Sequence, residues 1–217
     1  MDTIVRLKFC AMDKKLALAW IGELLLHENK EKAQINMAMT YYTSEILNNM
    51  IYEVEKAFPL GTPVFPTSNI SDLIENPDHP DDEGRECGEP FLNQRWIDVP
   101  AIQWYDNAEF VSFATSSALA YFLPSIIRLS YLEEIANEKR YMSDTREWMM
   151  NTLTGTDFWG EEVSWWTKTT DDIYHSYTKN QLDLVRGWIL FENRKHSDEP
   201  GCTHALDLVD RAAKKLI

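Results

Sequence analysis

The sequence predicts a mainly α fold, a single helical domain over residues 1–217, on three observations. Apolar residues recur at helical spacing in five separate stretches. One stretch, Ser116 to Glu134, is apolar nearly all round, as a central buried helix would be. The prolines are also concentrated: six of nine fall within residues 59–90, leaving the flanking stretches free to be helical. At 217 residues the chain is long enough to bury a sizeable core.

The elements follow in order. Thr3 to Phe9 alternates apolar and charged residues near its end and reads as a short N-terminal strand or, equally, as a first helical turn. From Asp13 to about Lys32, Leu16, Trp20, Leu24 and Leu25 share one helical face. A second helix is expected from about Ser44 to Phe58, capped by Thr43 or Ser44 and ended by Pro59. Its apolar stripe is Ile46, Leu47, Met50, Ile51, Val54 and Phe58.

Residues 59–90 read as a long irregular loop without helix, rich in proline and acidic in its second half. Phe91 to Pro100 is apolar enough to anchor the chain back on the core. Pro124 should either kink the Ser116–Glu134 helix or begin a new one. Residues 140–177 are weakly periodic and carry four of the eight tryptophans. Thr178-Lys179-Asn180-Gln181 reads as a capping box opening a helix to about Asn193. A last helix, about Thr203 to Leu216, should bury Leu206, Val209, Ala213 and Leu216.

Charge narrows the function. Twenty-one Lys and Arg against 35 Asp and Glu give −14, which repels phosphates and disfavours nucleic acid and anionic membrane surfaces as partners. The apolar stretch Leu16–Leu26 is too short to span a bilayer. The first residues lack the pattern of a secretory signal. Three distant cysteines, Cys10, Cys87 and Cys202, point to reduced thiols, so a cytoplasmic location is expected.

Signatures of chemistry fail in turn. The sequence has no dinucleotide fingerprint, phosphate loop, nucleophile elbow or zinc-protease motif. His79, Asp81, Asp82, Cys87 and Glu89 are dense but supply one thiol and one imidazole, short of a usual zinc set, and lack the offsets of a calcium loop. Cys87 sits among carboxylates that would raise its pKa, which makes a poor nucleophile. The expectation is therefore no enzyme, no catalytic residue, no metal and no cofactor.

Two features instead suit a protein partner. Residues 75–89 hold seven carboxylates and one base, and Asp78, Asp81, Asp82, Glu83 and Glu86 form a candidate electrostatic docking patch. Trp165 and Trp166 are adjacent and hard to bury together, so one is a candidate interface anchor.

The chain resembles a bacterial family of uncharacterised proteins, a domain of unknown function. The resemblance rests on Ile51 through Phe58, the acidic loop, Phe91, and Trp96-x-x-Val99-Pro100. It continues through Ala118-x-x-Tyr121-Phe122-Leu123-Pro124 and Thr178-x-x-Gln181-x-x-x-Val185, spanning about residues 48–193. The chain departs from that pattern by an N-terminal helical extension over 1–47, a longer Trp-rich segment near 140–175 and a C-terminal helix over 197–217. The resemblance implies a bacterial, cytoplasmic, helical protein and supplies no active site. The reading favoured by the residues is a protein-binding protein, most concretely an immunity protein that neutralises a basic toxin domain. A subunit of a bacterial defence assembly, or an enzyme with an unfamiliar site, are the alternatives.

Overall fold

The computed structural model describes residues 43–75, 83–137, 141–155, 164–193 and 200–216, without the side chains of 164–167 and 200–202. The chain divides at Tyr42/Thr43, and every described residue belongs to the C-terminal unit. The expected strand at Thr3–Phe9 and helix at Asp13–Lys32 lie outside the described residues. The fold is mainly α: the described residues form ten α-helices and no strand, with one isolated β-bridge between Ile74 and Ala114. None of these helices is long and apolar enough to cross a membrane.

The first helix, α1 (Ser44–Ala57), begins where its cap lies: the Thr43 hydroxyl accepts from the Ile46 N–H at 3.3 Å. Its buried face is Leu47, Met50, Ile51 and Val54, with Phe58 following at the C-cap and Pro59 stopping further helix. The segment expected to be irregular contains two short helices, α2 (Ile70–Leu73) and α3 (Glu83–Gly88). Asn69 caps α2 by accepting from Ser71 N–H, and the prolines fall outside both helices. The expectation of no helix over 59–90 is therefore wrong: the proline density excludes long helices but leaves room for short ones between prolines.

Two 3-10 turns, Glu89–Phe91 and Trp96–Asp98, then lead to the short helices α4 (Ala101–Asp106) and α5 (Phe110–Phe113). Phe91, Trp96 and Val99 are buried, as an anchor back onto the core requires. Phe91 stacks on Phe110 and lies against Trp104 and Phe122, so the aromatic centre joins α4 and α5 to α6.

Helix α6 (Ser116–Ala136) is the core element, two residues longer than expected. Phe122, Leu123, Ile126 and Ile127 are fully buried, and α1, α7 and α8 pack around it. The helix runs unbroken through Pro124. A proline at that position cannot donate to the carbonyl four residues earlier, that of Ala120. The Tyr177 hydroxyl takes the missing role, donating to the Ala120 carbonyl at 2.7 Å. A distant side chain thus replaces the hydrogen bond that the proline removes.

Residues 140–177 hold two helices, α7 (Ser143–Thr154) and α8 (Ser164–His175). Their weak periodicity has a physical cause. The inward face of α7 carries Thr145, Arg146, Thr152 and Thr154 beside Met149 and Leu153, so burial there does not follow hydrophobicity. These polar groups find partners inside: Thr145 donates to the Trp104 carbonyl at 3.1 Å, and Thr170 donates to that of Thr152. Arg146 lies between Glu133 of α6, at 3.6 Å, and Glu192 of the helix Lys179–Asn193 that follows α8, at 3.8 Å. The other oxygen of Glu133 accepts the N–H groups of Tyr141 and Met142, at 2.7 and 3.1 Å, and so caps α7 from a neighbouring helix.

The capping box is present at the start of α9 (Lys179–Asn193): Thr178 N–H donates to Gln181 Oε1 at 2.8 Å, and Gln181 N–H to Thr178 Oγ1 at 3.4 Å. Its expected apolar face, Leu182, Val185, Trp188 and Ile189, is fully buried. The last helix, α10 (Pro200–Lys214), starts earlier than expected and packs through a rotated face. Ala205, Val209 and Ala212 are buried, whereas Leu206 and Ala213 are half-buried and Leu216 is exposed. Small alanines let α10 lie close to its neighbours, a contact that a search for large apolar residues overlooks.

Replacing Tyr177 with Phe should cost about 1–3 kcal/mol in urea unfolding, because it leaves the Ala120 carbonyl unpaired. The cost should shrink in a Pro124→Ala background, where residue 124 regains an N–H able to reach that carbonyl. Equal costs in both backgrounds would separate Tyr177 from the proline.

Burial also pushes the phenols of Tyr174 and Tyr177 well above their ordinary value of 10.0, and Tyr174 adds to the shift at Tyr177. Above about pH 10 the unfolded chain releases protons that the folded chain retains, so stability is intact below that pH and falls as the pH rises through it. Alkaline titration should show part of the tyrosinate absorbance appearing only together with loss of helical circular dichroism. Complete tyrosine ionisation in a protein still fully helical would contradict this.

Candidate functional site

The acidic segment is fixed to the core at both described ends. Before it, Glu75 N–H donates to the Phe113 carbonyl at 3.0 Å, and Thr115 N–H donates to that of Leu73 at 2.9 Å. Thr115 works twice more, donating its hydroxyl to the Asp72 carbonyl and accepting from Ala118 N–H as the cap of α6. The approach to the acidic segment is thereby joined to the start of the central helix.

Beyond it lies α3, a helix with two unlike faces. Gly84, Cys87 and Gly88 turn inward, while Glu83, Arg85 and Glu86 are exposed. At Gly88 the lack of a side chain is a steric requirement, and at Gly84 the fit is tight. A Cβ on Gly88 would stand 2.9 Å from Ile74 Cγ2 and 3.0 Å from Ile70 Cδ1, and one on Gly84 would stand 3.1 Å from the Phe113 ring. Glycine at these two positions, one turn apart, lets the helix backbone rest directly on α2 and α5. The docking of the glycine face is what displays the carboxylates of the other face.

On that outer face Arg85 pairs with Glu89 at 3.1 Å, an exposed contact worth little to stability. Among the described residues, Glu83 and Glu86 have no ion pair, so their charge is directed to solvent. Cys87, buried between the helices, has its thiol pushed above the ordinary value. Burial is the main cause, followed by the negative charges of Glu109, Glu83 and Glu86. Glu109, in the turn before α5, therefore belongs to the same acidic neighbourhood, although it is distant from the acidic run in sequence. The resulting thiol is protonated near neutral pH and inward, the reverse of an activated nucleophile.

Of the residues expected at a docking site, the structure places Glu83 and Glu86 together on exposed α3. Asp78, Asp81 and Asp82 lie outside the described residues. Trp165 and Trp166 have their backbone in α8, and their side chains lie outside the description. Three other tryptophans, Trp96, Trp104 and Trp188, are fully buried. The exposed large apolar side chains among the described residues are instead Tyr52, Leu60, Val64, Ile102, Tyr105 and Leu216. No group of three His, Cys, Asp or Glu residues able to hold a metal ion occurs among the described residues, and His79, Asp81 and Asp82 fall outside them.

Two charged features were not legible beforehand. One is Glu109, which only the packing of α3 beside α5 brings near Cys87. The other is the buried Glu133–Arg146–Glu192 cluster, whose members are spread over 60 residues of sequence and follow no motif spacing. Comparison with known proteins finds no family model, curated protein or solved structure that matches the chain.

Gly88→Ala tests how α3 is held. In an open helix the change would favour helix by about 1 kcal/mol. Here the added methyl has no room and should destabilise by about 1–3 kcal/mol, lifting α3 off its seat. Labelling of Cys87 by a thiol reagent, followed by peptide mass spectrometry, should accelerate roughly tenfold or more. An unchanged rate in a protein of unchanged stability would show that the glycine seat is not required.

Proposed function

We propose that this is a non-catalytic bacterial protein that binds another protein, most concretely an immunity protein neutralising a basic toxin domain in the cytoplasm. The observation that carries the reading is the mounting of α3. Glu83 and Glu86 stand outward on a short helix seated on the core through Gly84 and Gly88, with Glu109 nearby. A carboxylate group displayed on a fixed support attracts a basic surface at long range and loses little freedom on binding. The overall charge of −14 adds to that attraction and opposes nucleic acid as the partner.

Inhibitors of this kind need no reacting groups. The protonated Cys87 thiol, turned into the core, fits that requirement, since it offers no activated nucleophile to a substrate. Many toxins that act on nucleic acids or nucleotides have basic clefts, and such a cleft is the surface an acidic helix would occupy. In this reading Asp78, Asp81 and Asp82 extend the charged patch, and Trp165 or Trp166 supplies the short-range burial that holds the complex.

The test is affinity purification from the native host with identification of the partner by mass spectrometry, followed by surface plasmon resonance at two salt concentrations. Glu83→Gln with Glu86→Gln should lower the association rate and flatten its dependence on salt, leaving dissociation nearly unchanged. Replacing the contacting tryptophan with Ala should instead speed dissociation, with a loss of about 2 kcal/mol or roughly thirtyfold in affinity. A strongly acidic partner, or association kinetics indifferent to the carboxylates, would overturn the electrostatic reading.

A further inference from the structure

No further inference is drawn: the strongest candidate, the buried Glu133–Arg146–Glu192 cluster where α6, α7 and α9 meet, is accounted for by the fold itself, with Glu133 capping α7 and Arg146 joining the helices on either side, and nothing in the structure points from it to a ligand.

Discussion

Where α1 ends, three of the four backbone carbonyls of residues 57–60 accept hydrogen bonds from side chains far along the chain. The Ala57 carbonyl accepts from Gln181 Nε2 at 3.1 Å, that of Pro59 from Trp96 Nε1 at 2.9 Å, and that of Leu60 from the Tyr121 hydroxyl at 2.8 Å. Phe58, between them, meets the Tyr177 ring edge to face at 5.4 Å, and Tyr177 in turn completes the interrupted hydrogen bonding of α6 at Ala120. One small region therefore ties α1, the 3-10 turn at Trp96, α6 and the start of α9 together. Ala57 is half-buried and Pro59 and Leu60 are exposed, so these are part-buried bonds, worth about 0.5–1.5 kcal/mol each. Together they couple α1 to α6 and α9, so that opening one of these elements gives up hydrogen-bond partners of the others.

Separate contacts between elements position the acidic surface. Its support runs from α6 through the cap residue Thr115 to α2, α5 and the glycine seat of α3. The buried polar groups of α7 act similarly on the other side, where Glu133 and Arg146 fix a helix with few large apolar residues. Breaking such a buried pair from one side is costly because a charge is stranded, which makes the arrangement specific even where its net contribution to stability is small. Hydrogen bonds thus cross between helices on both sides of α6, and the outward carboxylates of α3 stand on a helix seated against α2 and α5.

Large apolar faces were readable from sequence, and hydrogen bonds between distant elements were not. The α1 stripe, the all-round burial of Phe122 to Ile127 and the Thr178–Gln181 box follow from periodicity and local capping alone, both of which are short-range properties. The short motifs around Trp96, Tyr121, Pro124 and Gln181 were visible as patterns, but their convergence on the end of α1 depends on packing across up to 124 residues. The helices α2 and α3 were hidden by the prolines around them. Helix α7 was hidden because threonines and an arginine occupy its inner face; α10 was expected as a helix, but its buried face was missed because alanines line it. At the candidate site the excess of carboxylates was plain in the sequence, whereas the division of α3 into a glycine face and an acidic face required knowing what it rests on. Glu109 joins that surface only through tertiary structure.

Native-state hydrogen exchange tests most directly whether the α1 exit holds the fold together. The amide of Phe58, bonded to the Val54 carbonyl at 3.1 Å, should be compared with amides in the middle of α6 and α9 across a series of denaturant concentrations. If the bonds at the α1 exit couple these elements, all three sets should open with one common free energy and the same dependence on denaturant, that of global unfolding. Exchange at Phe58 through a smaller, denaturant-insensitive opening, while α6 and α9 remain protected, would contradict the account and make α1 an independently detachable helix.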